Sequence, residues 1–373
     1  MTKERLYFID NIRILLTVLI ILHHLAITYG APGTWYYQEG QPGMISILFY
    51  AIFTGINQAF IMGFFFMISG YFTPSSYDRK GAWPFFKARL MRLGIPLLFY
   101  VIVIDPLIVY TRAAVIQGFT GTFYKFLGNY FGNYEGLGIG PLWFVETLLI
   151  FTGIYVLWRL NTKHVSQDYQ IPKNFQIVLF ALLLGIVTFV VRIWFPMGWN
   201  FVPLGLQFPF FPQYIGMFII GMLVYRGSWF VHMPTKSGKL WLWIAVVTVL
   251  FLPVLIFLGA PGGDPARLRG GLYWQAFVFA LWEQFLCVAL VIALSILFRE
   301  RRNSQGRLGK AMSTSAYAAY IFHAPIIVLL AFALRGIQLD LILKFVVIAP
   351  LAVFLCFFIS NYIRKLPFVR KIL

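Results

Sequence analysis

The sequence predicts an all-α protein: a polytopic membrane bundle of about ten transmembrane helices with both termini cytoplasmic. Three observations predict it. Of the 373 residues, 60% are hydrophobic and 11% charged, with a mean hydropathy of +0.81, more apolar surface than a soluble core can hide. Ten apolar runs are each long enough to cross the ~30 Å hydrocarbon layer. Between those runs Lys and Arg collect on alternate sides, 22 against 6. The richer side carries both ends of the chain, and the positive-inside rule makes it the cytoplasm. The gaps leave no room for a soluble domain, so residues 1–373 form one integral-membrane domain. The charge of +18 is parcelled into short clusters and reads as orientation rather than nucleic-acid binding.

The runs lie near 6–28, 44–73, 93–115, 141–158, 175–195, 208–225, 239–259, 273–298, 312–334 and 341–363. The first, in IDNIRILLTVLIILHHLAI, has no small-residue cleavage site and is not expected to be a signal peptide. It carries Arg13 near one end and His24 near the other. Eleven helical residues advance about 16 Å and turn ~1100°, so the two lie ~20° apart on one face, with His23 on another. Ionisable groups at membrane depth are costly and mark functional sites; the plainer reading is a snorkelling Arg and a His that satisfies a neighbour. The second run closes with GFFFMISGYFTP, residues 63–74. Gly70 there permits close packing, Pro74 is expected to end the helix, and Ser69 is placed to cap the helix or touch a ligand.

The third run is entered through FFKARLMRLGIP, residues 85–96, where Arg89 and Arg92 share one helical face. Paired guanidinium groups grip phosphates with forked hydrogen bonds, although an RxxR at a helix entrance also serves as a topology anchor. The loop 112–140 is rich in Gly and aromatics (Tyr124, Tyr130, Phe131, Tyr134). Such rings stack on sugars or form an interfacial belt. The fourth run opens GPLWFVETLLIF and puts Glu146 at the depth of His24. That carboxylate is expected to orient the imidazole, or else to pair with an arginine such as Arg192 at the end of the fifth run. In the sixth, FFPQYIGMFIIGMLVY, Gly216 and Gly221 suit close helix packing.

Asp105, Glu283 and His323 lie deep in the third, eighth and ninth runs and are expected to pair in one mid-membrane network. The ninth run, SAYAAYIFHAPII, places Pro325 after His323, which kinks a helix and frees a carbonyl. Lys344 falls inside the tenth. Cys287 and Cys356 sit in apolar runs and suggest neither a disulfide framework nor a metal site.

Taken together, these motifs resemble the acyltransferase 3 family of multi-pass membrane acyltransferases over essentially the whole chain. IDNIR followed by His24 reproduces the family's Arg, ten residues, His spacing. MISGYF (67–72) is similar to its SGY element and Arg89/Arg92 to its RxxR; LWFVE (142–146) and SAYAAYIFHAP (315–325) also fit. Two departures stand out: no room exists for the appended extracytoplasmic hydrolase-like domain of many relatives, and Glu146 stands in a shorter acidic motif than their double-Glu form. The resemblance implies an acyl-CoA-dependent membrane O-acyltransferase of the inner (cytoplasmic) membrane. It transfers an acyl group, commonly acetyl, with succinyl among relatives, from cytoplasmic acyl-CoA to a hydroxyl of an extracytoplasmic or lipid-linked glycan. His24 would be the general base, with Glu146 as a second catalytic residue. Arg13, Ser69, Arg89 and Arg92 would hold the acyl-CoA co-substrate, with no permanent cofactor, metal or nucleic acid involved. The competing class is a transporter or flippase for a glycan or lipid, which has no need of a basic pair facing CoA.

The charge asymmetry makes a direct prediction. A reporter fused at the C-terminus reads cytoplasmic, and one inserted in 120–135 reads extracytoplasmic; a C-terminus on the outer side overturns the topology.

Overall fold

The computed structural model describes residues 5–132, 138–162, 169–202, 204–259 and 265–372. Among them ten helices are long and apolar enough to cross a membrane, one on each predicted run. In chain order the helices of more than four residues are α1 (Tyr7–Thr28), α2 (Met44–Lys80), α3 (Ala82–Ile116), the short non-spanning α4 (Phe123–Gly132), α5 (Gly140–Asn161), α6 (Asn174–Trp194), α7 (Phe208–Arg226), α8 (Thr235–Gly259), α9 (Trp274–Arg301), α10 (Arg307–Ala333) and α11 (Leu341–Ile363). The described residues hold no strand beyond an isolated bridge between Phe201 and Leu206. Hydrocarbon offers the backbone no hydrogen bonds, so an apolar run that long must satisfy itself as a helix.

Helix α2 corrects one expectation. Pro74 does not end it; the helix runs on to Lys80 and stops at Gly81, whose φ of 77° only glycine adopts freely. The proline costs one backbone hydrogen bond. Burial of Thr73, Pro74 and Tyr77 and the ion pairs of Asp78 with Arg159 (3.0 Å) and Arg226 (2.8 Å) hold the extra turns in place.

Helix α3 begins earlier than the hydropathy signals and passes through two π turns, Leu90–Gly94 and Tyr100–Ile104. Each lies just before a proline, Pro96 and Pro106, which has no N–H for the carbonyl four residues back. A π turn is one way a helix absorbs that defect. The carbonyl that Pro96 leaves bare is that of Arg92, and the Tyr317 hydroxyl from α10 donates to it at 2.9 Å.

Helices α2 and α7 approach most closely at glycines. A Cβ on Gly70 would run into the Phe218 carbonyl, and one on Gly221 into the Met67 carbonyl. Gly216 instead faces the Leu184 side chain. Beside this crossing Phe66 packs with ring centroids 4.7 Å from both Phe144 and Tyr214 and 5.3 Å from Phe151, joining α2, α5 and α7 in one core.

Polar ties gather the Lys- and Arg-rich segments at one end of the bundle. Asn11 donates to the carbonyls of Arg302 (2.6 Å) and Ser304 (3.1 Å), Arg299 to those of Phe230, Val231 and Met233, and Arg364 to Ser315 Oγ at 3.2 Å. The first and last helices therefore share this end.

The single network expected of Asp105, Glu283 and His323 does not form. Glu283 pairs with Arg192 at 2.6 Å, both almost wholly buried; Asp105 accepts hydrogen bonds from tyrosines; His323 meets His24. The pairing of Arg192 with Glu283 also removes it as a partner for Glu146. Depth alone could not separate these groups, because helices of equal depth still face different neighbours.

The Pro96 repair predicts a double-mutant cycle. Tyr317→Phe strands the Arg92 carbonyl and lowers stability by about 1–3 kcal/mol. In a Pro96→Ala background, where residue 96 regains its N–H, the same substitution costs much less. Thermal unfolding in detergent reads both, and equal costs in the two backgrounds refute the assignment.

Candidate functional site

Helix α10 builds the site. Tyr317, Tyr320 and His323 stand three residues apart, so they follow one slowly turning stripe. Each reaches a different element. Tyr317 donates to the Arg92 carbonyl in α3, Tyr320 to the Pro141 carbonyl where α5 begins, and His323 Nε2 lies 2.9 Å from His24 Nδ1 in α1. His323 Nδ1 is 2.6 Å from the Tyr320 carbonyl. Nδ1 is thus the His24 nitrogen that meets His323, and the Ile20 carbonyl one turn back also engages the His24 ring. His23 meets the His24 ring only edge-on, at 5.5 Å and 83°.

Trp35, from the loop 29–43, stacks on His24 with centroids 4.1 Å apart and planes 15° from parallel. Its Nε1 is buried without a hydrogen-bond partner. Glu39 ties this loop down over the histidines in two ways. Glu39 N–H donates to the Thr28 carbonyl at 2.7 Å, and the Glu39 carboxylate pairs with Lys344. The Lys344 ammonium also donates to the carbonyls of Leu334 and Ile337, each at 2.9 Å. That explains how a lysine is tolerated fully buried in α11.

The neighbouring Tyr36 donates to Asp105, whose other oxygen accepts from Tyr130 of α4 at 2.5 Å. With its own proton on Asp105, Tyr36 accepts from Tyr100 at 3.0 Å. Burial, then the nearby Tyr100 and Asp105, push the Tyr36 phenol well above its ordinary range, so it stays a donor. Apart from Tyr130, α4 resembles an interfacial belt: it has no buried residue, and Tyr124 and Phe131 are exposed. Tyr134 lies outside the described residues.

At the other end of α1 the arginines gather. Arg13 pairs with Asp10 at 3.6 Å and lies in electrostatic range of Arg92, as does Arg89. The guanidinium of Arg89 sits over Phe85 at 5.5 Å, and that of Arg92 over Tyr317 at 5.7 Å. Arg89 Nη2 approaches Thr73 Oγ1 at 3.4 Å, and Thr73 in turn donates to the Ser69 carbonyl at 2.7 Å. Ser69 therefore stands one helical turn from Arg89. Neither Arg89 nor Arg92 forms an ion pair among the described residues, which leaves their forks for an external anion. The π turn after Arg89 spreads the two toward different helices, α2 and α10.

Glu146 is not brought into hydrogen-bond contact with His24. It lies one turn into α5 beyond Pro141, 8% exposed, with Oε2 buried and without a partner. The sequence reasoning passed over three contributors: Trp35, Tyr320, and His323 as the partner of His24. The three-residue spacing of Tyr317, Tyr320 and His323 was a usable signal, because it marks one face of α10.

A family model described as an acyltransferase domain matches residues 6–361. The chain is 28% identical over 197 residues to Glucans biosynthesis protein C from several Escherichia coli strains, covering 51% of this chain and 49% of that protein. It thus spans about half the length of the curated relatives it matches. No solved structure matches it.

The anchoring of loop 29–43 can be tested directly. Lys344→Gln removes the charge that holds Glu39 and makes the bond after Glu39 sensitive to a Glu-specific protease in reconstituted vesicles. Cleavage at the parental rate means the loop is held by something else.

Proposed function

The chain belongs to the acyltransferase 3 family, and from that premise we propose that it is a membrane O-acyltransferase of the inner (cytoplasmic) membrane. It moves an acyl group, acetyl in the first instance, from cytoplasmic acyl-CoA to a hydroxyl of an extracytoplasmic or lipid-linked glycan. The observation that carries this reading is the two-ended site on α1: unpaired arginine forks near Arg13 at one end, His24 with its partner His323 at the other, about 16 Å apart. The glucan named for the relatives, together with the aromatic lining of loop 29–43, supports a glycan acceptor. The crowding of Lys and Arg at the end that holds α1's start supports placing that end, with both termini, in the cytoplasm.

In this reading Arg89 and Arg92, with Arg13 and Ser69 beside them, hold the phosphates of CoA, while its long pantetheine arm runs along α1 toward His24. His24 Nε2 takes the proton from the acceptor hydroxyl as the oxygen attacks the acyl carbonyl carbon. The carbon–sulfur bond then breaks, and the departing CoA thiolate takes the proton back from His24. Trp35 and the apolar walls keep water from competing. Glu146 belongs to the catalytic group because its buried, unpartnered oxygen at membrane depth needs a hydrogen-bond donor, which an acceptor hydroxyl supplies.

The test uses the purified protein in liposomes with acetyl-CoA or succinyl-CoA and a glucose oligosaccharide, following release of CoA thiol and acylated sugar. His24→Ala loses on the order of 10²–10⁴ in turnover, while His23→Ala stays close to the parent. Arg92→Ala raises the acyl-CoA concentration needed for half-maximal rate and leaves the acceptor's unchanged. Turnover that survives His24→Ala, or sugar crossing the bilayer without any acyl-CoA, rejects the proposal, the latter in favour of a transporter.

A further inference from the structure

The reading of His24 as base leaves open why Nε2, rather than Nδ1, should carry the free lone pair. The hydrogen bonds around His323 decide it. A carbonyl oxygen can only accept, so the 2.6 Å contact between His323 Nδ1 and the Tyr320 carbonyl puts the proton of a neutral His323 on Nδ1. Its Nε2 is then a bare acceptor. The 2.9 Å contact to His24 in turn requires the proton on His24 Nδ1, and His24 Nε2 is left as the lone pair.

We infer that His323 is a positioning residue that locks His24 in the tautomer with a basic Nε2, through a relay running from His24 Nδ1–H to His323 Nε2 and from His323 Nδ1–H to the Tyr320 carbonyl. Both nitrogens of His323 are thereby committed, so it does not itself touch the reacting atoms. The relay also serves the charged stage of the reaction. When His24 Nε2 gains the acceptor's proton, Nδ1–H already points at an acceptor, so the imidazolium is stabilised without any rearrangement. The surroundings hold this geometry. His323 is fully buried, Trp35 covers one face of His24, and the Tyr320 hydroxyl fixes its own turn of α10 to Pro141. Pro325 contributes locally. Having no N–H for the carbonyl of Ile321, it disturbs the helix ladder beside the carbonyl that His323 engages.

This inference rests on the proposed function, and the experiment separates the two. Nitrogen-15 NMR of the histidine-labelled protein, with His24 assigned by its loss in His24→Ala, reports which ring nitrogen is protonated without any turnover. The parent shows a protonated Nδ1 and a bare Nε2 on His24. In His323→Leu a population with protonated Nε2 appears, and turnover with acetyl-CoA and the glucose oligosaccharide falls by about 10²-fold or more while KM for acetyl-CoA holds. His323→Gln recovers most of the rate, because its carbonyl oxygen accepts from His24 Nδ1–H and its amide nitrogen donates to Tyr320. A parent with protonated Nε2, parental turnover in His323→Leu, or a Gln variant as slow as the Leu variant overturns the relay. An active His24→Ala protein removes the base reading alone, since the NMR result judges the tautomer lock independently.

Discussion

Hydrocarbon cannot solvate a bare carbonyl, and the architecture follows from that constraint. An unsatisfied backbone group at membrane depth costs several kcal/mol. Prolines in the spans and the ends of helices create such groups, and side chains from other helices answer them. The Tyr317 hydroxyl covers the carbonyl bared by Pro96. Arg192 donates to the Pro209 carbonyl at 3.2 Å, and Lys344 covers two carbonyls at the turn between α10 and α11. Each repair fixes the rotation of one helix against another. Tyr317 and Tyr320 together lock α10 against α3 and α5, and that rotation aims His323 at His24.

The buried charges obey the same rule. Arg192 with Glu283, Lys344 with Glu39, and Asp105 with its tyrosines each form a local, paired group. Removing one partner of such a buried pair costs about 3–5 kcal/mol, because the other is left uncompensated. Several buried polar atoms still lack a hydrogen-bond partner, Arg192 Nη1, Glu39 Oε2 and Asn57 Nδ2 among them. Glu146 Oε2 and Trp35 Nε1 are buried without partners, and Arg89 and Arg92 form no ion pair among the described residues. The arginines lie near the start of α1 and Trp35 lies against His24 near its end.

Depth within the membrane proved a weak guide to pairing. His24 and Glu146 sit at similar sequence depth, yet His24 finds His323. Asp105, Glu283 and His323 also share a depth, yet each joins a different group. Depth fixes one coordinate; the rotation of each helix about its axis and its place in the bundle fix the other two. Pro74 shows the same limit at a helix end. A proline disfavours continuation by a local cost, and the burial of Tyr77 and the ion pairs of Asp78 outweigh it.

By itself the sequence determined what depends on local chemistry. The ten spans follow from runs of apolar residues, because a helix is the only unpaired backbone form that hydrocarbon accepts. The common face of Arg13 and His24 follows from helical geometry within one rigid element, and the separation of basic from neutral segments follows from counting. The tertiary structure alone decided which side chains meet. His24 and His323 are 299 positions apart, and Trp35 stacks on His24 from a loop that Glu39 ties to Lys344 on the last helix. Such meetings depend on how ten helices pack and turn against one another, a property of the whole bundle that no stretch of the chain contains.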